Sequence, residues 1–231
     1  MPVSPDFLQA FPIFAGVLGL QLDDVAAHAE ARRYRGRRLI VQEGQPCEGL
    51  HLVAEGRVKV FRRSGTREQI MTVLGPGDVV DAAPLIDGGA HRLSAQALGR
   101  ATVCFVDRAT MLKTLDECPS VREALLGHMA ERLRTFANLA GDLAFKDATS
   151  RLAGAILACA DEGSRIDASG TQLDRKLTRR ELAARASTVR EVALRTLKRL
   201  QQQGLIADDA GRIVILDRGG LQRVAQGDAR E

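Results

Sequence analysis

Two helix-capping signals, ten residues apart in the last third of the chain, constrain its fold more than any other feature. Thr178 stands three residues before Glu181, and Thr188 stands three residues before Glu191. A threonine followed at this spacing by a glutamate is a capping box, in which two side chains satisfy amides at the start of a helix. The first box predicts the short helix RRELAARA, and the second predicts a longer helix that Gly204 ends. A short helix, a tight turn and a longer helix make a helix-turn-helix.

The same region carries the chain's surplus of positive charge. Residues 175–204 hold nine basic side chains and two acids, a surplus of seven, whereas the whole 231-residue chain has a net charge of +4. Such a local surplus suits a polyanion, and a solvated helical face explains only part of it. The chain has no Trp and one Tyr, so it lacks the aromatic platform on which single-stranded nucleic acid stacks.

The longer helix is predicted to enter a major groove with the first two of its turns. Arginine can donate two hydrogen bonds to guanine, glutamate accepts one from cytosine, and leucine can touch a thymine methyl group. With the helix's apolar side turned to the core, the predicted base-reading residues are Arg190, Glu191, Leu194 and Arg195. The predicted contacts to the DNA backbone are Thr178, Arg179, Arg180, Thr188 and Lys198.

The single acid in this helix has two interpretations. A carboxylate repels phosphate, so Glu191 has no use in a surface that only grips the DNA backbone. It reads a base and orients Arg195, four residues later, or it serves only as a capping residue. The two roles are compatible.

A long apolar repeat precedes the basic region. The segment PSVREALLGHMAERLRTFANLAGDLAF opens with Ser120 and Glu123 at the spacing of a capping box, which predicts one long helix. Its apolar residues follow at steps of three and four, close to a coiled-coil repeat: Val121, Leu125, Met129, Leu133, Phe136, Ala140 and Leu143. This seam packs either against its own domain or against a second copy. The second interpretation, a two-fold dimer, is favoured because an exposed seam of this length is a liability.

Strands are predicted before this helix and a small mixed domain after it. Short β-rich runs, separated by glycines every 8–12 residues, indicate a sandwich or barrel behind an amphipathic opening helix. Beyond the long helix, DATSRLAGAILACADEG predicts a helix that Gly163 ends, and SRIDASGTQLDRK predicts a polar loop. LIADDAGRIVIL predicts a hairpin, or wing, and a short last helix begins near Leu221.

Other classes of protein find little support in the residues. No apolar run approaches the roughly 20 residues of a membrane span. The four cysteines form no C-x-x-C pair, so an iron–sulfur or zinc cage has poor support. The N-terminus lacks the basic start of a secretory signal, so the cysteines are expected to be reduced thiols in a cytoplasmic protein. The rival interpretation is a β-barrel enzyme or metal-binding protein. The four scattered histidines form no H-x-H or H-E-x-x-H, and neither G-x-S-x-G nor a P-loop occurs, so this rival is disfavoured and no metal site is predicted.

Three stretches of the chain resemble one family of bacterial transcription regulators, the CRP/FNR superfamily. That family's helix-turn-helix is similar from end to end to LTRRELAARASTVREVALRTLKRLQQQGLI, and its R-E-x-x-x-R pattern falls on Arg190, Glu191 and Arg195. Its β-roll resembles YRGRRLIVQEGQPCEGLHLVAEGRVKVF with the later GPGDVV. The exit from its dimer helix resembles FKDATSRLA.

The resemblance implies an α+β protein in three parts. These are a β-roll sensor domain over residues 1–117 (a double-stranded β-helix of the cyclic-nucleotide-binding kind), a dimerisation helix over 118–146 and a winged helix-turn-helix over 147–231. It further implies a homodimer, not an enzyme, that binds a near-palindromic site in double-stranded DNA and contacts RNA polymerase. Arginine at the first position of the triad, here Arg190, implies a TGTGA-like half-site.

The effector of this sensor domain is expected to differ from that of the cyclic-nucleotide binders. Those proteins carry a Gly-Glu pair followed by Arg-Ser/Thr-Ala. The glutamate binds the ribose hydroxyl of the nucleotide, and the arginine and the backbone bind its phosphate. Here Asp81 and Ala82 replace Gly-Glu, and Leu93 separates Arg92 from Ser94. The predicted effector pocket comprises Asp81, Ala82, His91, Arg92 and Ser94.

Three kinds of effector stay open besides a cyclic nucleotide, which this cassette disfavours. The first is haem bound through His91. The second is a redox signal through Cys47 or Cys104. The third is another small molecule, or no effector at all. The N-terminal cysteine cluster of the iron–sulfur members is missing.

Overall fold

The structure, a computed structural model, divides into two compact units. It describes residues 3–17, 19–161, 164–167, 170–173, 178–209 and 212–227. One unit comprises Met1–Arg62 with Ile70–Phe136, and the other comprises Arg63–Gln69 with Ala137–Glu231. The division falls inside the long helix rather than at its ends. The predicted stop at Gly163, the cations Arg175 and Lys176, the tip of the wing and the last four residues lie outside the described residues.

The first unit combines short helices with six strands and ends in a long helix. Its helices are α1 (Pro5–Gln9), a 3-10 helix (Pro12–Phe14), α2 (Leu20–Ala27), α3 (Ala83–Asp87), α4 (Arg108–Glu117) and α5 (Pro119–Phe145). Its strands are β1 (Ala29–Tyr34), β2 (Leu39–Val41), β3 (Gly49–Ser64), β4 (Arg67–Leu74), β5 (Val79–Val80) and β6 (Ser94–Asp107). The opening helix is broken into pieces because proline, without an amide hydrogen, fits only a first turn, where Pro5 and Pro12 stand.

An antiparallel sheet rolls up to form this unit, and the predicted β-roll is confirmed. Its order is β1-β6-β3-β4, with β2 added on β6 and β5 on β3. The long strands β3 and β6 shift register twice, near Val53 and near Gly56, which lets the sheet curve. Gly56 has φ 80°, and a Cβ there would lie 2.2 Å from the Arg100 carbonyl oxygen, so only glycine fits.

Two apolar clusters fill the unit. One lies inside the roll, where Val58, Val60, Leu74 and Val103 meet. The other joins the outer face of the sheet to α1, α2, α4 and the start of α5. Among the described residues, no helix is long and apolar enough to cross a bilayer.

The second unit is a small domain of helices packed on a four-stranded sheet. Its elements are α6 (Ala148–Asp161), β7 (Ser164–Asp167), β8 (Gly170–Leu173), α7 (Arg179–Arg185), α8 (Arg190–Gln202), β9 (Ile206–Asp209), β10 (Arg212–Ile215) and α9 (Arg218–Gln226). The sheet order is β7-β8-β10-β9, and β9–β10 is the predicted wing. One apolar cluster joins all four helices.

The prediction of a polar loop before α7 is wrong, because part of that segment forms the hairpin β7–β8. Strand β8 pairs with β10, and Leu173 is 1% exposed in the core. Gly170 has φ 123°, and a Cβ there would lie 2.4 Å from the Ile215 carbonyl oxygen. The polar composition of the segment gave no sign that β8 pairs with β10, because the wing lies beside this segment only in the folded structure. The last helix also begins earlier than predicted, because Asp217 accepts a hydrogen bond from the Gly220 amide and caps it.

Candidate nucleic-acid interface and effector cavity

The first capping box of the helix-turn-helix is partly confirmed and the second is wrong. Thr178 is the N-cap of α7, and its side-chain oxygen accepts a hydrogen bond from the Glu181 amide at 3.1 Å. The N-cap of α8 is Val189, which has no side chain to cap with. The amide of Thr188 instead donates to the Ala183 carbonyl at 2.9 Å, which closes the turn between the two helices.

The turn itself is tight and buried at its first residue. Ala186 is 0% exposed, and Ser187 adopts φ 53°, a left-handed conformation that residues other than glycine rarely take. This local strain lets the chain reverse within a few residues and start α8 at Arg190. The geometry therefore depends on contacts that hold the turn in place.

Arg151 of α6 supplies such contacts. It donates from Nε to the Ala186 carbonyl at 2.9 Å and from Nη2 to the Ser187 carbonyl at 3.5 Å, while Nη1 bonds the Lys146 carbonyl. Sequence reasoning missed this residue. The available signal was that Arg151 is the only basic residue of α6. A second hydrogen bond to α6 is donated by Nη2 of Arg199 in α8 to the Thr149 hydroxyl oxygen at 3.0 Å.

Helix α8 turns one face into the core and the opposite face outward, as predicted. Ala193 and Leu200 are 0% exposed, and Leu197 packs half-buried against the same cluster. The outward side carries all four predicted base-reading residues: Arg190, Glu191 and Arg195 are exposed, and Leu194 is half-buried. The apolar residues fix the rotation of the helix, and the rotation places the arginines in solvent.

One predicted role is not observed in the unbound chain. Within the described part of the chain, no ion pair joins Glu191 to Arg195, so the carboxylate does not orient the guanidinium here. The interpretation of Glu191 as the capping glutamate of Thr188 also loses its basis, since Thr188 is not the N-cap. The exposed Glu191 carboxylate therefore has no capping role with Thr188.

The predicted DNA-backbone contacts are mostly on the surface. Thr178, Arg179, Arg180 and Lys198 are exposed, and Thr188 is half-buried. Two other cations of the basic region contact other protein side chains. Arg185 keeps 8% of its side chain exposed and faces Glu181, and Arg199 is tied to α6. Together with Arg190 and Arg195, the exposed Arg179, Arg180 and Lys198 give the helix-turn-helix a positively charged surface.

The apolar seam on α5 divides into a buried and an exposed part. Val121 and Leu125 are 0% and 2% exposed within the core of the first unit, and Met129 packs against that core. The prediction that Val121 and Leu125 contact a second copy is therefore wrong: they follow the alternative interpretation, packing on their own domain. The predicted capping box of this helix is wrong as well, because α5 begins at Pro119 and Ser120 lies inside its first turn.

Two exposed residues of the seam, Leu133 and Ala140, belong to a neighbouring row of the helix. Leu133 is 70% exposed and Leu143 is 47% exposed, and Ala140 is exposed while Phe136 is half-buried. The full exposed apolar row, which we call the outer row, follows steps of four and three: Leu126, Ala130, Leu133, Ala137, Ala140 and Ala144. Its small and apolar side chains have the spacing of a coiled-coil seam.

A cavity of about 480 Å³ lies in the first unit between the roll and α5. Its lining consists of Val60, Thr72, Leu74, Val79, Asp81, Ala82, Ala83, Leu93, Leu126, His128, Met129, Ala130, Arg132, Leu133 and Phe136. Asp81 and Ala82 are therefore placed where an effector pocket was predicted. His91, Arg92 and Ser94 are not part of this lining, although Leu93 is.

The three residues outside the lining have other positions. Arg92 is exposed, and the Ser94 hydroxyl accepts a hydrogen bond from the Glu43 amide at 3.0 Å. His91 is 4% exposed, and its Nδ1 lies 2.8 Å from Oδ2 of Asp81. Asp81 holds a left-handed backbone, φ 42°, while it makes this contact. A haem group bound through His91 does not fit, because this histidine is buried, already paired and not part of the cavity wall.

Burial favours the neutral forms of several histidines and cysteines in the first unit. Burial lowers the pKa of His128, and the nearby Arg132 cation lowers it further. Burial lowers the pKa of His51 to about 3. Burial also raises the pKa of the Cys104 thiol to about 12 and raises that of Cys47. Since the thiolate is the reactive form, these cysteines are poor redox sensors. The described residues contain no group of three or more metal-binding side chains.

A rolled sensor domain with a cavity beside α5 and a winged helix-turn-helix with a basic face define a class of protein, the DNA-binding transcription regulators. Residues 31–118 match the cyclic nucleotide-binding domain, and residues 150–224 match the Crp-like helix-turn-helix domain. The chain belongs to the CRP/FNR family of transcription regulators. The relatives and the fold are those of regulators, not of enzymes.

Two relatives and one solved structure illustrate the similarity. The cAMP-activated global transcriptional regulator Vfr of Pseudomonas aeruginosa is 33% identical over 191 residues, 80% of this chain and 88% of the relative. The cyclic AMP receptor protein of Thermus thermophilus is 29% identical over 222 residues, 95% of this chain and 99% of the relative. The structure of FixK2 from Bradyrhizobium japonicum superposes with a TM-score of 0.72 at 27% identity, covering 85% of this chain and 96% of the other.

Proposed function

We propose that this chain acts in the cytoplasm as a homodimeric regulator that reads a near-palindromic, TGTGA-like site in double-stranded DNA with α8 of each copy. One observation supports this most strongly. Helix α8 buries Ala193 and Leu200 and thereby presents Arg190, Glu191 and Arg195 to solvent in its first two turns. In helix-turn-helix proteins, the N-terminal part of the second helix contacts the base edges.

The proposed contacts follow from the chemistry of these side chains. Arg190 and Arg195 each donate two hydrogen bonds to a guanine, Glu191 accepts one from a cytosine, and Leu194 packs on a thymine methyl group. Thr178, Thr188 and the exposed cations around the helices hold the phosphates and set the register. Arg151 touches no DNA; it keeps the turn in the conformation that aims α8.

A second copy is proposed to pack along the outer row of α5. Leu126 and Leu133 are 59% and 70% exposed in one chain, which is costly for leucine unless something covers them. A two-fold partner brings the same row to both sides of the interface, and its symmetry is reflected in a near-palindromic operator. Ala140 of the predicted seam belongs to this row, and Phe136 and Leu143 flank it.

The sensor cavity is proposed to bind an effector other than a cyclic nucleotide, although two relatives are named for cyclic AMP. Ala82, 5% exposed, stands in the cavity wall where binders of cyclic nucleotides carry glutamate. Arg92, the residue that would hold the phosphate, is exposed and absent from the wall. Family membership supports contact with RNA polymerase as the route by which the bound dimer changes transcription.

Selection of DNA sites from a random pool, followed by gel-shift titration, tests the proposal. The wild-type chain should enrich a two-fold symmetric site, and the logarithm of its affinity should fall linearly with the logarithm of the salt concentration. Arg190→Ala and Arg195→Ala should each lose about 1–3 kcal/mol of discrimination at one base position of each half-site. Lys198→Ala should weaken binding to all sequences alike and lower the salt slope by about one.

Arg218→Ala serves as the control. Arg218 is an exposed cation of α9 that pairs with Asp161 of α6, so it belongs to neither helix of the helix-turn-helix. It should leave both affinity and discrimination unchanged. A wild-type protein that enriches no sequence, or arginine variants that keep full discrimination, would refute the proposed function.

A further inference from the structure

The wall of the sensor cavity is mostly hydrocarbon. Eleven of its fifteen lining residues are apolar: Val60, Leu74, Val79, Ala82, Ala83, Leu93, Leu126, Met129, Ala130, Leu133 and Phe136. The polar exceptions are Thr72, Asp81, His128 and Arg132. What the cavity can bind depends on whether these four groups are available to a ligand, since a charge buried without a partner is strongly disfavoured.

The only guanidinium in the wall is already neutralised by the protein. Arg132 donates from Nη2 to Oδ1 of Asp78 at 2.8 Å and from Nη1 to the Thr72 hydroxyl oxygen at 3.3 Å. Its Nε has no hydrogen-bond partner, but it has less than 1 Å² of accessible surface, so a molecule in the cavity does not reach it. The other oxygen of Asp78 accepts from the Gly75 amide at 2.8 Å, which holds the carboxylate in place. An anionic ligand would have to displace this anchored carboxylate.

The remaining polar groups are also engaged. Oδ2 of Asp81 lies 2.8 Å from Nδ1 of the buried His91, and His128 hydrogen-bonds the backbone of Val79. Asp81 carries the sign of charge that repels a phosphate or carboxylate. The cavity therefore offers a large apolar volume. Each of its four polar side chains contacts another protein group, and the one polar atom of Arg132 without a hydrogen-bond partner, Nε, is buried out of reach of a ligand.

We infer that the effector of this protein is an uncharged, largely apolar small molecule that fills the cavity between the roll and α5. This inference rests on the proposed function, because it names the class of ligand that the regulator's sensor domain takes. A volume of about 480 Å³ lies within the usual range for small-molecule sites, roughly 300–1,000 Å³. Binding is driven by removal of apolar ligand surface from water, and an ionised group on the ligand would oppose it.

A pair of fluorescent probes tests this directly. N-phenyl-1-naphthylamine is uncharged, and 8-anilino-1-naphthalenesulfonate has nearly the same rings with a sulfonate. Titrated into the full-length protein, the uncharged probe should bind at least about tenfold more tightly than the sulfonate. An excess of cyclic AMP should not displace it. Equal or tighter binding of the sulfonate, or displacement by cyclic AMP, overturns the inference.

Two substitutions on the same short helix locate the probe. Ala83 of α3 lines the cavity, whereas Ile86 of that helix is 50% exposed and not part of the lining. Ala83→Trp should weaken binding of the uncharged probe at least about tenfold, and Ile86→Trp should leave it within about twofold. Equal effects of the two variants would place the probe elsewhere and overturn the inference. Circular dichroism confirms that both variants fold.

The DNA-binding experiment separates the two proposals. If the wild-type protein binds its selected site but prefers the anionic probe, only the inference about the effector fails. If it enriches no DNA site, the proposed function fails whatever the probes show.

Discussion

Replacement of Arg151 by methionine should loosen the helix-turn-helix without touching its DNA-facing side. Methionine keeps a long unbranched side chain but has no hydrogen-bond donors. The change removes three bonds from the guanidinium to carbonyls of residues 146, 186 and 187. It leaves the carbonyl of the buried Ala186 without this donor, next to the left-handed backbone of Ser187.

The expected cost follows from the lengths of these bonds. The bond to Ser187, at 3.5 Å, is at the limit of a hydrogen bond and is counted as zero. Each of the other two joins a charged donor to a backbone oxygen, worth about 1.5–3 kcal/mol in such cases. Because Arg151 is only half-buried, we take the low end and expect the second unit to lose about 2–3 kcal/mol. With an m-value of about 2 kcal/mol/M, the urea midpoint falls by about 1–1.5 M.

Urea unfolding followed by far-ultraviolet circular dichroism, with amide exchange at Thr188 as a local readout, measures this effect. Arg218→Met is the matched control: it removes the same kind of side chain from an ion pair with Asp161 whose partners are 43% and 65% exposed. Exposed pairs contribute about 0–1 kcal/mol, so its midpoint should barely move. If Arg151→Met unfolds at the same urea concentration as the control, the argument that Arg151 holds the turn is refuted.

Three further predictions concern the seam, a buried histidine and a glycine. Leu133→Glu should give monomers in sedimentation velocity. The control Leu39→Glu changes a leucine of β2 that is 43% exposed, and it should stay dimeric. If both variants were dimers, the proposed interface would be contradicted. Burial holds the pKa of His51 at about 3, below its value of 6.5 when unfolded, so stability is complete above pH 6.5 and is lost as pH falls. From about pH 7 to pH 4 the wild-type chain should lose about 3 kcal/mol more than His51→Phe in urea unfolding, and parallel pH profiles would contradict this. Gly170→Ala should destabilise the second unit by about 2 kcal/mol or more, because its Cβ meets the Ile215 carbonyl at a left-handed φ. Gly154→Ala in α6 should instead stabilise by about 0.5–1 kcal/mol, because outside the local helix backbone nothing lies within 4 Å of the added Cβ. If both glycine variants changed the free energy of unfolding in the same direction, this distinction would be refuted.

The recognition helix was predictable because its signals are local. The spacing of Ala193, Leu197 and Leu200 sets which face of α8 turns inward, and the arginines then fall outside by geometry alone. The capping box at Thr178 works the same way, since its two partners are three residues apart. The sequence at Thr188 has the same Thr-x-x-Glu pattern, but the capping box predicted there is wrong. The Thr188 amide bonds the Ala183 carbonyl across the turn, and the helix begins at Arg190.

The cavity and the seam were predicted less well because both depend on distant contacts. A heptad-like spacing cannot distinguish a core inside one chain from an interface between two, and the roll covers Val121 and Leu125 but not Leu133. The cassette residues Asp81 and His91, ten apart in sequence, come together as a buried pair and leave only Asp81 in the cavity wall. No periodicity carries that information.

The sequence alone determined the order of the parts, the β-roll followed by a long helix and a helix-turn-helix, and the identity of the outward side chains of α8. These follow from periodicity, capping and charge within one or two helical turns. Tertiary structure decided the rest. It joined the turn to Arg151, 35 residues away, paired the hairpin β7–β8 with the wing, and built an apolar cavity in which Arg132 is already paired with Asp78. Hydrogen bonds and burial across such separations depend on where the chain returns in space, and that is set by the packing of the whole unit.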